Sequence, residues 1–206
     1  VIVVPFFWLA MLSVKTRLDA FALPPKLLFA PTFEAYVQVF TDGDFLSAIL
    51  NSLIISIGAV ILSLLIAIPA TFSLRNLRGP MRHNTLLIIL LIRMVPGMVY
   101  LLPYFVLYNR LDLIDTHIGL ILVHLIFNVP LIIWMLMPIW QAIPRDLTEA
   151  ARIDGATPLQ TIFMVDRPLH KGVILAASVL AYTYPWNVFL VARILSLHYL
   201  LPLHVA

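Results

Sequence analysis

The chain has no cysteine in its 206 residues, and charge is scarce: 13 Lys and Arg stand against 10 Asp and Glu. The first absence excludes disulfides and thiolate metal or redox sites. The second excludes an ordinary soluble domain, because 62% of the residues are hydrophobic and 11% charged, against averages of roughly 45–50% and 25%. With a mean hydropathy of +1.03, the composition is that of an integral membrane protein. A net charge of +3 and a pI near 9.4 do not point to nucleic acid, since the basic residues are scattered between apolar runs and form no basic face. No Gly-x-x-x-x-Gly-Lys-[Ser/Thr] phosphate loop, His-Glu-x-x-His motif or serine nucleophile elbow occurs in the sequence. The chain is therefore read as a non-enzyme that binds no cofactor.

What the sequence does contain is long apolar runs. Residues 45–74 carry no charge, 85–109 only Arg93, 118–143 only the titratable His124, and 172–192 none. At about 1.5 Å per residue each can cross a hydrocarbon core of about 30 Å. Residues 1–14 are apolar but too short, without the basic lead or small-residue tail of a signal peptide, and read as a truncated first span. The expected fold is an all-α polytopic membrane protein, a single transmembrane domain over 1–206.

Basic residues set the orientation. Arg75, Arg78 and Arg82 follow the second span, and Arg145, Arg152, Arg167 and Lys171 the fourth, whereas the other loops dilute their basic residues with Asp19, Glu34, Asp42, Asp44, Asp112 and Asp115. The segment 144–171 is thus expected on the cytoplasmic side, and the closing residues 198–203 on the outer face.

That segment carries two helix-start signals. Pro144 stops the preceding span, and Asp146 with Glu149 three residues on has the form of a capping box. Ala150 and Ala151 favour helix and let a partner approach closely, Leu147 and Ile153 offer apolar contact, and Gly155 supplies the φ > 0 that ends a helix. Thr157-Pro158-Leu159-Gln160 repeats the start signal. The reading is helix, sharp turn, helix: a lever between the fourth and fifth spans, or alternatively an interfacial helix on lipid headgroups.

The spacing Glu149-Ala150-Ala151, three residues, Gly155, nine residues, Val165-Asp166-Arg167-Pro168 resembles the cytoplasmic Glu-Ala-Ala loop of ABC importer permeases. Arg167 stands where that pattern has Leu, and Val165 where it has Ile. The likeness extends along the chain and is closest to the carbohydrate-importer branch, of the maltose-permease type. Pro5-Phe6-Phe7-Trp8, Thr32 with Tyr36, Arg93-Met94-Val95-Pro96, Leu113-Ile114-Asp115-Thr116, Asn128-Val129-Pro130 and Trp186-Asn187 carry it. Val188 replaces a frequent acidic residue and Lys171 a frequent Pro.

The resemblance implies a type I ABC importer permease (MetI-like) helix bundle in a bacterial or archaeal inner membrane, here a fragment lacking part of the first helix and all of the last. It implies no chemistry of the chain's own, with ATP used by a separate ATPase. The implied partners are ABC ATPase subunits, a second permease subunit, an extracytoplasmic sugar-binding protein and the bilayer. Glu149, Ala150, Ala151, Asp154, Gly155 and Pro168 would face the ATPase. Polar and aromatic groups at membrane depth suit a sugar pathway, and Arg93, Asn128, Tyr182, Tyr184, Trp186 and Asn187 are its candidates. For the aromatics the alternative is anchoring or packing; for Arg93 it is snorkelling to the interface. Packing is the favoured reading of His124 and Asn128. Importers of polyamine, phosphate or amino acids share the same loop. A membrane-embedded enzyme would need paired catalytic groups and a secondary transporter carboxylates within the spans, and every Asp and Glu lies outside them.

Overall fold

The computed structural model describes residues 2–41, 44–142, 144–187 and 195, without the side chains of residues 44, 145 and 187. Residues 188–192 of the expected last span, Val188 among them, and 198–203 lie outside the described residues. All regular structure among the described residues is helical. The chain separates into two compact units, residues 1–47 and 48–206.

The first unit holds α1 (Val3–Ser13), α2 (Arg17–Ala20) and α3 (Glu34–Thr41). No residue of these helices is buried, and α1 is apolar on all sides. Its polar ties are local. Tyr36 Oη donates to Ser13 Oγ at 2.8 Å, and Lys15 Nζ donates to the Lys26 carbonyl at 2.6 Å while lying 4.8 Å from the Phe29 ring centre. Lys26 pairs with Asp19 at 2.7 Å, and this hydrogen bond, with that of Thr16, holds the Asp19 carboxyl below the usual range.

The second unit is built on α4 (Asp44–Arg75), whose first residues belong to the other unit. Its burial pattern inverts that of a soluble helix. Ala48, Ser52, Ser56, Ala59, Ser63, Ala67 and Thr71 are buried, whereas Ile54, Ile57, Ile61 and Leu65 are exposed. A stripe of small and hydroxyl-bearing residues on the inner face, joined there by Ile55, Val60, Phe72 and Leu74, with other large aliphatics outside, is the arrangement of a helix bundle in lipid, where close approach drives packing. Thr71 Oγ1 donates to the Ala67 carbonyl at 2.7 Å.

The run 85–109 does not form one straight helix. It is divided between α5 (Gly79–Met94) and α6 (Gly97–Arg110), which meet at 83°. Pro96 disfavours helix at the residue before it, and Val95 is extended at φ −67°, ψ 126°. Tyr100 Oη donates at 2.7 Å to the Ile92 carbonyl, which the break leaves free of its helical partner.

Helix α7 (His117–Ala142) is the most enclosed helix among those described. Ile132, Leu136 and Trp140 are inaccessible and pack with Val60, Ala67 and Leu74 of α4. The same core takes in two alanines further along the chain, Ala177 and Ala181, both fully buried. Before them come α8 (Arg145–Ile153), α9 (Pro158–Thr161), a π-helical turn (Ile162–Asp166) and α10 (Arg167–Leu169); α11 (Lys171–Asn187), which carries the two alanines, follows.

Candidate functional site

The segment between α7 and α11 is built as two capped pieces. At the end of α8, Gly155 N–H donates to the Arg152 carbonyl at 3.0 Å and Ala156 N–H to the Ala151 carbonyl at 2.9 Å. Gly155 sits at φ +83°. These two bonds with a left-handed glycine are a Schellman motif, which satisfies carbonyls that the helix end would otherwise strand. Two residues on, Thr157 Oγ1 accepts from Gln160 N–H at 3.3 Å while Gln160 Oε1 accepts from Thr157 N–H at 2.8 Å. This capping box is the one expected at Thr157.

The capping box expected at Asp146 does not form. Pro144, extended at ψ 133°, occupies the cap, and α8 starts at Arg145. Asp146 falls instead in the first helical turn, where a carboxylate still complements the free N–H groups.

Among the described side chains of α8 only Thr148 is buried. Glu149, Ala150, Arg152, Ile153, Asp154 and Gly155 are exposed, Ala151 is half-buried, and Ile153 is 86% accessible. Pro168 is also exposed, in the second position of α10. The structure therefore brings Glu149, Ala150, Asp154 and Gly155 onto one accessible helix end and leaves Pro168 beyond the π-helical turn. Beside this end lies a cleft of about 300 Å³ lined by Phe72, Arg75, Asn76, Thr148, Glu149 and Arg152. Arg75 and Asp166 line or underlie the loop as a buried pair that the sequence reading did not single out. Its one visible signal was an acid closing the apolar stretch Ile162–Val165.

The six pathway candidates do not share one place. Tyr184 stacks obliquely on Phe127 with ring centres 5.0 Å apart and meets His124 edge-on at 6.1 Å; Tyr100 meets Phe127 at 6.2 Å. Half-buried Arg93, in the last turn of α5, lies within electrostatic reach of Tyr184. A cation there also suits the negative end of the helix. Tyr182 stacks on Trp186 at 5.6 Å and lines a separate apolar groove with Ile57, Val60 and Ile61 of α4. Asn187 ends α11, and its side chain is outside the description.

Asn128 is fully buried, and its amide donates to the Ala181 carbonyl at 3.1 Å. Pro185 explains why. It has no N–H to give to the carbonyl four residues earlier, which is that of Ala181. Asn128 replaces the missing donor across the α7–α11 interface. Asn128→Leu is expected to cost about 1 kcal/mol in unfolding of the detergent-solubilised protein, and much less in a Pro185→Ala background, which restores the N–H. An equal cost in both backgrounds contradicts this pairing.

Comparison with known proteins places these features in a family. Residues 59–203 match the binding-protein-dependent transport system inner membrane component. The trehalose transport system permease protein SugB of Mycobacterium tuberculosis is 32% identical over 195 residues, covering 93% of this chain and 70% of the relative. The sulfoquinovosyl glycerol transport system permease protein SmoH of Agrobacterium fabrum is 31% identical over 189 residues, 91% of this chain and 66% of the relative. The chain thus spans about two thirds of the length of each. Its fold matches a chain in the crystal structure of a bacterial ABC transporter involved in the import of the acidic polysaccharide alginate, with a TM-score of 0.80 at 23% identity, covering 99% of this chain and 72% of that one. Apolar helices with an inside-out burial pattern, the loop spacing and these matches agree, and the chain belongs to the family of binding-protein-dependent transport system inner membrane components, the membrane permeases of ABC transporters.

Proposed function

We propose that this chain is the membrane-spanning permease subunit of an ATP-driven, binding-protein-dependent sugar importer, that it forms half of the translocation pathway, and that it couples to a separate ATPase through residues 144–168. The observation that carries the coupling role is the exposed helix end from Glu149 to Gly155, closed by the Schellman motif and followed at once by the capped start of α9. It offers two acids, Glu149 and Asp154, small alanines and the apolar Ile153 on a helix whose turn is closed by backbone hydrogen bonds. A rigid, accessible projection fits a cleft on a partner without a large ordering cost. Permease relatives named for trehalose and sulfoquinovosyl glycerol support a sugar substrate.

For the pathway, the half-buried group of Tyr184, Tyr100 and Arg93 at the α5–α6 break offers aromatic faces and hydrogen-bonding groups together, which suit a sugar ring and its hydroxyls. Tyr182 serves packing against α4, Trp186 stacks on Tyr182, and Asn128 serves helix pairing. The chain works with ATPase subunits, a second permease subunit of different sequence, and an external sugar-binding protein; ATP is consumed by the ATPase. Transport follows from alternating access, in which ATP binding favours one arrangement of the bundle over the other.

The test is uptake by the full-length subunit in liposomes with its partner permease, ATPase and binding protein, supplied with labelled sugars, polyamines and amino acids. ATP-dependent accumulation of a sugar is the expected result. Accumulation of a polyamine or amino acid instead discards the sugar assignment, and no ATP dependence discards the importer reading.

A further inference from the structure

Where the loop meets the bundle, one side chain holds both of its halves. Arg75, the last residue of α4, is 7% exposed. Its Nη2 donates to Thr148 Oγ1 of α8 at 3.3 Å, and its Nη1 lies 3.6 Å from Asp166 Oδ1, at the end of the π-helical turn. Asp166 is fully buried. Trp140 of α7 lies beside its carboxylate. His170 shares a hydrogen bond of 2.7 Å between its Nδ1 and the Asp166 carbonyl, and its ring packs 5.9 Å from that of Trp140. Elements from α4, α7, α8 and the π-helical turn therefore meet at a single ion pair.

The pair is close but not closed. Burial pushes the Asp166 carboxyl above its ordinary range, with the charges of Arg75 and His170 opposing. The Trp140 indole N–H beside the carboxylate adds to that opposition, while Arg75 Nη1 stays at 3.6 Å from Asp166 Oδ1, beyond hydrogen-bond distance. Buried charges are normally paired and hydrogen-bonded, and replacing such a pair by apolar groups of similar size is often harmless to stability. Packing alone therefore does not account for an ionic contact at this point. Its position does: Thr148 is the buried point among the described side chains of α8, and there α8 is hydrogen-bonded to Arg75 at the end of α4.

We propose that Arg75 and Asp166 are positioning residues for transport, a contact that fixes the loop to α4 so that α8 and α4 move as one when the ATPase moves the loop. This rests on the reading of residues 144–168 as the ATPase-coupling loop. Motion is then delivered to α4 directly, in addition to the chain neighbours α7 and α11.

The test uses the complete importer in liposomes and the double variant Arg75→Met/Asp166→Met, which removes the contact without stranding a charge. Co-purified ATPase and ATP hydrolysis are expected to stay near wild type, while solute imported per ATP hydrolysed falls about tenfold, within the usual range of coupling between sites. Unchanged import per ATP overturns the proposal. A second measurement needs no change at the pair. Because the chain has no cysteine, spin labels at Ser73→Cys of α4 and Asp146→Cys of α8, both exposed and off the docking end, report the α4–α8 separation in the intact complex. That separation is expected to stay constant between nucleotide-free and ATP-bound states, and a change on ATP binding overturns the contact as a rigid link. Failure of the wild-type chain to bind any ATPase is instead a failure of the loop reading, and is seen before any variant is made.

Discussion

Gly155→Val is expected to abolish ATP-dependent uptake and to weaken association with the ATPase, while the protein still folds and inserts. Gly155 holds φ +83°, a left-handed conformation that costs a β-branched residue about 1–3 kcal/mol. No atom lies within 4 Å of the position where a Cβ would stand. The penalty is therefore one of backbone strain, and the exposed turn can escape it by unwinding the Schellman motif. Unwinding frees the Ala151 and Arg152 carbonyls and lets α8 swing relative to the capping box at Thr157. At about 1.4 kcal/mol per factor of ten, 2 kcal/mol leaves only a few per cent of molecules with the docked geometry. Gly155→Asn is the matched control, since Asn tolerates this region, and is expected to retain most uptake. Normal uptake and normal ATPase co-purification by the Val variant would remove the loop from the mechanism.

Much of this architecture is legible in the sequence, and the parts that are not share a cause. The helices α4 and α7 follow from uninterrupted apolar runs, because length and charge alone decide them. The division of 85–109 at Val95 has a local signal, the residue before Pro96, but Pro69, Pro103, Pro130 and Pro185 lie within continuous helices. Nothing local distinguishes a proline that a helix accommodates from one that breaks it. The two start signals in the loop make the same point. Thr157 forms its box because Pro158 takes the first helical position. At Asp146 the helix begins earlier, behind Pro144, and the side chain is already inside the first turn.

The exposed face of the candidate site was legible as a spacing, since Glu149, Ala150 and Gly155 belong to one short segment. Its anchor was not. Arg75 and Asp166 are separated in the chain by the five helices α5 to α9, and only packing makes them neighbours. Asn128 stood among the pathway candidates because it is polar at membrane depth; its actual partner is the carbonyl that Pro185 orphans, a relation written as two separate residues on two helices. The small-residue stripe from Ala48 to Thr71 was readable in principle, at steps of three and four. It marks the inward face of α4 more sharply than hydropathy does.

Gly119→Ala is expected to damage the fold itself, in contrast to the loop variant. The turn between α6 and α7 is held by Thr116, whose Oγ1 donates to the Leu113 carbonyl at 2.7 Å and accepts from Gly119 N–H at 3.0 Å. Asp112 and Asp115 both take positive φ to make this reversal, and Leu113 N–H returns to the Tyr108 carbonyl at 2.9 Å. Gly119 is buried in the first turn of α7, and a Cβ there would collide with the Leu113 carbonyl, a backbone atom that cannot rotate away. Even one methyl group must displace the turn or the helix start, at a cost of about 1–3 kcal/mol or more. Tyr108 and Leu120, both buried in the core beneath the turn, would lose their packing with it. The expected outcome is a lower thermal midpoint in detergent and less inserted protein, with the surviving fraction coupling ATP to uptake normally. An Ala variant of wild-type stability would mean that the turn adjusts freely, and the positive φ of Asp112 and Asp115 would then be incidental to how α7 is set.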